Sequence, residues 1–514
     1  MKHHKAFRAL LGVGLCGLGL WLALSVPYHP RTFRVDAGGC FLITDIVEPA
    51  GGESPQGYVV LLHGLAANKR IMSYFTQGFA ALGLRVFVPD LPGHGRTAGP
   101  FSYARAEQCS ENLVRELVER GLINPERTIL AGHSLGGAIA LRVASRFPVA
   151  GVVAISPAPM HPIRGIPPEV IPFSDFGATP ANSLVLTGTS EPGSLRGAAR
   201  DLIAEATDKT GRYEEIPHAS HVSILFDARA MSAAQDWVSH VLHLRSNAKL
   251  PSHRPILGFF CGLAGILLLA GPFLRELLQA GAPEAPAAPV IRTPAKLRLF
   301  LEYALLSLGV VGTLSLWNPL RAVRLFEGNY CAGLMLLLGL ALLAMHSSSW
   351  WTSASALAVD TPSQRPLYVT LIAAAFAAFI LLFLFTAWAD LAVTETWATR
   401  SRWLAFLPLF GAALPYHFAE EFLLGPASAR PGWRRLLLAL SLRTVVWLAV
   451  VFGIFLLHSG ELLPVLLVPY FFVVCVLQRW AMDVVREVAA SPAASALFGA
   501  ILLAGFCLVA FPAT

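Results

Sequence analysis

The sequence predicts an α/β domain built on a doubly wound, mostly parallel sheet, followed by an all-α polytopic transmembrane domain. Three observations predict it. Short apolar, β-branched runs alternate with helical text between residues 30 and 250. A serine flanked by glycines stands where one such run turns into a helix. Beyond residue 255, long runs of Leu, Ala, Phe and Val are broken only by short polar stretches. The composition agrees: only 14% of the 514 residues are charged and mean hydropathy is +0.59, against ~25% charged in soluble proteins.

The elements are taken in chain order. The N-terminus, "MKHHKAFR", precedes an apolar run from Ala9 to Val26. At ~18 residues this run is long enough to span a bilayer. Ala23-Leu24-Ser25 also resembles a small-x-small cleavage site. An anchor is the preferred reading and a cleaved signal the alternative; either exports the globular domain behind it. Gly12, Gly14, Gly17 and Gly19 spell GxGxxG, but no strand precedes them, so the dinucleotide reading fails. The expected organisation is a signal anchor over 1–29, a globular α/β domain over 30–250, and a membrane domain over 255–512.

Within the globular domain, "YVVLLHG" from Tyr58 predicts a buried parallel strand, followed by a helix near Ile71 to Leu82. "LRVFVPDLPGHG" gives the next strand and a Gly/Pro loop, and helical text runs from Ala104 to Arg120. "RTILAGHSLGG" gives a third strand that turns into a helix, and "VAGVVAISPAP" and "NSLVLTGTSEPG" give two more. "GRYEEIPHASH" is the last strand, with a helix after it to about Leu244.

The turn carries the chemistry. Gly132-His133-Ser134-Leu135-Gly136 fits G-x-S-x-G after an apolar strand and before a small-residue helix. The spacing has a cause: the serine sits on a strained strand-to-helix turn, and the flanking glycines let neighbouring backbone pass. The serine hydroxyl then stands at a helix N-terminus, with the Leu135 N–H available to a developing oxyanion.

These residues resemble the α/β-hydrolase family, and the likeness extends over about residues 34–244. His63-Gly64-Leu65 resembles the family's oxyanion loop, which implies the Leu65 N–H as second donor, with His63 and Gly64 in support. "PDLPGHGRT" from Pro89 resembles the stretch after the family's next strand, and His133 is the common residue before the serine. The family's order is serine, acid, histidine. The resemblance therefore implies Ser134 as nucleophile and Glu191 as acid, in Gly188-Thr189-Ser190-Glu191-Pro192, where many members carry Asp. Glu169 and Asp175 are the substitutes. His221, directly before the closing helix, is implied as base ahead of His218; His94 is a loop residue. The supporting positions are His63, Gly64, Gly132, His133 and Gly136. The stretch from Ser156 to Ser183 holds several prolines and no amphipathic pattern, which argues against a helical cap.

Eight further spans start near Pro255, Leu299, Tyr330, Leu367, Trp403, Leu436, Leu462 and Ala494. With the N-terminus inside, the inner side collects 13 Lys and Arg and the outer short loops collect 4, a positive-inside bias that puts residues 30–250 outside the cytoplasm. The "QAGAPEAPAAPVIRTP" stretch is expected to be a semi-rigid inner loop. Five cysteines lie in apolar runs; Cys40 and Cys109 lie in the globular half and could pair if it is exported. His417, Glu420 and Glu421 share one helix face, with Arg443 in the next span as ion partner and Glu302 as another buried acid. This cluster is either functional, as ionisable groups at membrane depth usually are, or an interfacial, solvated ion pair between helices.

The expectation is a membrane-bound serine hydrolase acting on carboxylic esters or thioesters, lipid or other acyl esters among them, through an acyl-enzyme on Ser134. The alternative is a membrane transporter or scaffold with a hydrolase-like sensing domain. The partners expected are the lipid bilayer and an acyl-ester substrate. No basic stripe suits nucleic acid, no Cys/His spacing suits a metal, and no cofactor is implied.

Overall fold

The computed structural model describes residues 2–26, 29–49, 54–160, 177–206, 210–245, 248–279, 295–347, 366–425, 432–457 and 463–514. Its six sequence-predicted strands are β3 (Gly57–Leu62), β4 (Leu84–Pro89), β5 (Thr128–His133), β6 (Gly151–Ile155), β7 (Ser183–Gly188) and β8 (Arg212–Ile216). Two more precede them: β1 (Arg31–Ala37) and β2 (Cys40–Val47). All eight form one sheet in the order β1-β2-β4-β3-β5-β6-β7-β8. The run from β4 to β8 is parallel, while β2 pairs antiparallel with both β1 and β4.

Period-2 alternation explains how both faces are filled. Val59, Leu61, Ile129, Ala131, Val153, Ile155, Leu184 and Leu186 face a core shared with α2 (Ser73–Ala81) and α6 (Ala228–Leu242). The intervening Val60, Leu130, Val152 and Val185 are buried as well. Helix α3 (Tyr103–Glu119) packs on α4 (Leu135–Arg146), which lies against β5 and β6, and α5 (Gly193–Ala204) packs on β7 and β8. Cys40 and Cys109 are disulfide-bonded, joining β2 to α3.

This unit comprises Leu18–Phe260, Trp388–Ser401 and Pro512–Thr514. The last of these segments is held by backbone bonds. Ala513 N–H donates to Gly93 O at 2.9 Å and Phe101 N–H to Ala513 O at 2.7 Å, so the C-terminal residues brace the loop after β4.

The other unit comprises Met1–Gly17, Cys261–Ala387 and Arg402–Phe511. Among the described residues eight helices are long and apolar enough to cross a membrane. They are α1 (Lys2–Leu24), α7 (Arg254–Gln279), α8 (Lys296–Leu316), α9 (Gly328–Met345) and the helices Leu367–Ala392, Gly432–Leu457, Val468–Ala489 and Pro492–Ala510. This is compatible with a multi-pass membrane protein. The expected span from Trp403 folds as the helix Phe406–Leu424 but is not among the eight, because His417, Glu420 and Glu421 reduce its hydropathy.

Those three residues are not solvated. All are fully buried within the helical unit. Buried charges persist when partners and hydrogen bonds compensate their desolvation, and here they do. Arg443 grips both oxygens of Glu420 at 2.7 Å, and Glu421 pairs with Arg435 at 2.7 Å and Arg479 at 2.5 Å. Asp483 bridges Arg435 and Arg479, and Gln478 Nε2 donates to His417 Nε2 at 3.1 Å. Glu302 instead pairs with Arg298 and His346. The Pro/Ala-rich loop and most of the stretch read as lid-free, with Glu169 and Asp175, lie outside the described residues.

Candidate active site

In an open parallel sheet, side chains at the carboxyl ends of the strands converge on one edge. His63 follows β3, Asp90 follows β4, Ser134 follows β5, Ser156 follows β6, Glu191 follows β7 and His221 follows β8.

Ser134 has φ +53° and ψ −117°, a conformation disfavoured for any residue with a Cβ and costing about 1–3 kcal/mol. The surroundings impose it. A Cβ on Gly132 would overlap the Gly136 carbonyl, and one on Gly136 would overlap the Leu62 carbonyl. Strand and helix therefore pass closer than any other residue permits, and the chain turns sharply at Ser134. Ser134 N–H donates to Ile155 O at 2.9 Å, tying the turn to β6.

Ser134 Oγ lies 3.0 Å from His221 Nε2, and His221 Nδ1 lies 3.1 Å from Glu191 Oε2. A carboxylate accepts, so Nδ1 carries the proton and Nε2 is free to accept from the serine hydroxyl. Glu191 Oε1 takes the Ser156 hydroxyl at 2.6 Å and the Gly188 N–H at 2.7 Å. Burial raises the affinity of Glu191 for a proton. The bonds from His221, Gly188 and Ser156 outweigh it and hold the carboxyl below its usual range.

Two other histidines are structural. His133 Nε2 donates to the His221 carbonyl at 2.7 Å, and burial, then the charge of His221, pushes its imidazole down to about 3. His63 Nδ1 donates to Gly64 O and its Nε2 accepts the Leu91 N–H at 2.9 Å; burial pushes it down to about 4. Both are neutral at ordinary pH. Gly64 packs against Ser134: an added Cβ would come 3.2 Å from Ser134 Cβ. Leu65 is the next residue. Among the described residues no hydrogen bond occupies the amide of Leu65 or of Leu135, the first residue of α4, where helix amides are unsatisfied. Both remain available to an oxyanion.

The structure thus gathers Ser134, His221, Glu191, His133, His63, Gly64, Gly132 and Gly136. His218 is elsewhere: its N–H caps Thr189 Oγ1 at 2.8 Å in the adjacent loop. His94 supports the loop, with its Nε2 accepting from Ala66 N–H at 3.3 Å. Sequence reasoning misses Ser156, whose signal is a serine at the end of a buried strand, in the place Ser134 holds beside it. It also misses Lys69, buried between Asp90 and Glu395, since nothing in sequence links residue 395 to residue 69.

Comparison with known proteins bears on the fold of this domain. Residues 59–294 match the model of the alpha/beta hydrolase family. The chain is 36% identical over 159 residues to the magnesium-chelatase 30 kDa subunit of Rhodobacter capsulatus, covering 30% of this chain and 51% of that protein. It is 37% identical over 99 residues to a pimeloyl-[acyl-carrier protein] methyl ester esterase of Nitrosospira multiformis, covering 19% and 35%. It is 34% identical over 114 residues to a monoacylglycerol lipase of Mycolicibacterium smegmatis, covering 22% and 40%. The chain spans about half or less of the length of these curated relatives. Sheet order, nucleophile turn and family match converge, and the chain carries an α/β-hydrolase domain with esterase and lipase relatives.

Proposed function

We propose that this protein is a membrane-bound serine hydrolase that cleaves carboxylic esters or thioesters of acyl chains through an acyl-enzyme on Ser134. The observation that carries the reading is the continuous hydrogen-bonded chain Glu191–His221–Ser134 on a turn with φ +53°. Ser134 Oγ attacks the ester carbonyl while His221 Nε2 takes its proton. The carbonyl oxygen becomes an oxyanion and is met by the amides of Leu65 and Leu135. Collapse breaks the acyl–oxygen bond, and His221 returns the proton to the leaving alcohol. Water then repeats the sequence on the acyl-serine and frees the acid. Glu191, ionised throughout, orients the imidazole and stabilises its cation.

The relatives support an acyl ester as the substrate class, since the names of two of them are those of a methyl ester esterase and a monoacylglycerol lipase. The Cys40–Cys109 disulfide supports a domain outside the cytoplasm, where such bonds persist. The test is turnover of p-nitrophenyl butyrate by the detergent-solubilised chain. Wild type turns over and Ser134→Ala and His221→Ala do not; equal rates in all three would exclude this site.

A further inference from the structure

The turn that carries the Leu65 amide, Gly64 to Lys69, is held from three directions. His63 is fixed by Leu91, and Ala66, in the left-handed region at φ +59°, is fixed by His94. The third support comes from a segment some 326 residues away in sequence. Asn68 Nδ2 donates to Thr394 Oγ1 and to Glu395 O, both at 2.8 Å, and Asn68 Oδ1 accepts the Glu395 N–H at 3.1 Å. Lys69 Nζ, fully buried, sits 2.5 Å from Glu395 Oε2 and 2.7 Å from Asp90 Oδ2. Asp90 also accepts the Lys69 and Arg96 amides at 2.9 Å. Arg70 reaches Asp390 O at 2.9 Å.

An exposed ion pair would mean little. Here a buried cation is shared by two buried carboxylates, and the neighbouring asparagine makes three hydrogen bonds to the same short segment. Asp90 already pairs Lys69. Glu395 also meets the half-exposed Arg96 at 3.4 Å, so it ties the buried Lys69 to the Trp388–Ser401 segment and fixes where the end of the turn lies. Lys69 and Asn68 end the turn in which Gly64 lies against the Ser134 Cβ, so a shift at Lys69 is passed through four residues to the Leu65 amide.

We propose that Glu395 is a positioning residue for the oxyanion site, clamping the 64–69 turn so that the Leu65 amide faces the carbonyl attacked by Ser134. This rests on the reading of Leu65 as an oxyanion donor. It makes the segment Trp388–Ser401, which continues from an apolar helix beginning at Leu367, part of the hydrolytic machinery.

The test uses the full-length chain, p-nitrophenyl butyrate and an aliphatic trifluoromethyl ketone, whose adduct with a serine is a tetrahedral oxyanion. Glu395→Gln leaves the Lys69–Asp90 pair intact, and Asn68→Ala removes the backbone clasp without touching a charge. Per folded molecule, each variant lowers kcat by about tenfold or more with KM within about twofold, and weakens the ketone by a similar factor, because loss is confined to the transition state. If wild type is active and Ser134→Ala is dead, yet kcat in both variants stays within about threefold, or falls only with the folded fraction, the Glu395 assignment is overturned while the Ser134 reading stands. A wild type with no turnover overturns both.

Discussion

The Ser156 hydroxyl donates to Glu191 Oε1 at 2.6 Å, which leaves Glu191 Oε2 to His221 at 3.1 Å. The two oxygens of one carboxylate thus have separate duties, and Ser156 together with the Gly188 N–H holds Oε1 so that Oε2 faces the histidine. Ser156→Ala is expected to lower kcat by about tenfold with KM little changed. Glu191→Gln, which loses the charge that favours the imidazolium, is expected to cost about 10³–10⁴. Steady-state kinetics on both variants checks the ranking; a Ser156 variant as impaired as the Glu191 variant would mean the serine does more than orient.

Gly132 and Gly136 leave no room for a methyl group because the obstacle is backbone carbonyl, which cannot rotate away. Gly132→Ala and Gly136→Ala are each expected to cost about 1–3 kcal/mol or more and to abolish turnover by displacing Ser134. Thermal unfolding and activity, measured together, check this. Full activity in Gly136→Ala would show that the turn is less tightly set than its packing indicates.

The two buried imidazoles are expected to make the fold sensitive to acid. His63 and His133 sit near 4 and 3 in the folded state against an ordinary 6.5. Between those values the unfolded chain binds protons that the native state does not, so stability is intact above about 6.5 and falls as pH drops towards 4. The slope is about 1.4 kcal/mol per pH unit for each group. Unfolding midpoints between pH 7 and pH 4.5 measure it, and His133→Gln is expected to flatten the curve. A profile flat to pH 4.5 would contradict the neutral, buried assignment.

The Cys40–Cys109 disulfide closes a segment with a separation of 69 residues. On loop-closure entropy it is expected to contribute about 4 kcal/mol. Melting with and without reductant, and in Cys40→Ser/Cys109→Ser, checks this; identical midpoints would mean that the bridge does not form in the purified protein.

In the helical unit, Glu420 compensates Arg443 and Arg479 together. Glu420→Ala takes from the buried Arg443 its carboxylate partner and from Arg479 one of three, and is expected to destabilise the detergent-solubilised protein by about 3–5 kcal/mol. Glu302→Ala, which loses the exposed Arg298 and one bond to His346, is expected to cost far less. Comparable losses in the two variants would argue against the buried network.

Local pattern makes much of this legible. The six strands from Gly57 to Ile216 and the serine turn are readable because continuous apolar runs, glycine spacing and a helix start leave traces in adjacent residues. The hairpin of β1 and β2 escapes that reading although Gly38-Gly39 separates two alternating runs, the usual hairpin signal. Both glycines have positive φ, as a tight turn there demands. Ser156 and Glu395 are a different matter. Each acts through a partner 35 or 326 residues away, a relation created by the sheet order and by the fold of the later segment. The membrane-depth cluster is half legible: helical spacing puts His417 with Glu420 and Glu421, whereas Arg435, Arg479 and Asp483 reach it only once the helices pack.

The central claim is that Ser134 is an activated nucleophile, and covalent labelling tests it most directly. The full-length chain is treated with a fluorophosphonate and the modified residue mapped by mass spectrometry, beside Ser134→Ala, His221→Ala and Glu191→Gln. The account predicts one adduct, on Ser134, absent from the Ser134 and His221 variants and slowed in Glu191→Gln. A folded wild type that takes up no label, or takes it elsewhere, would contradict it.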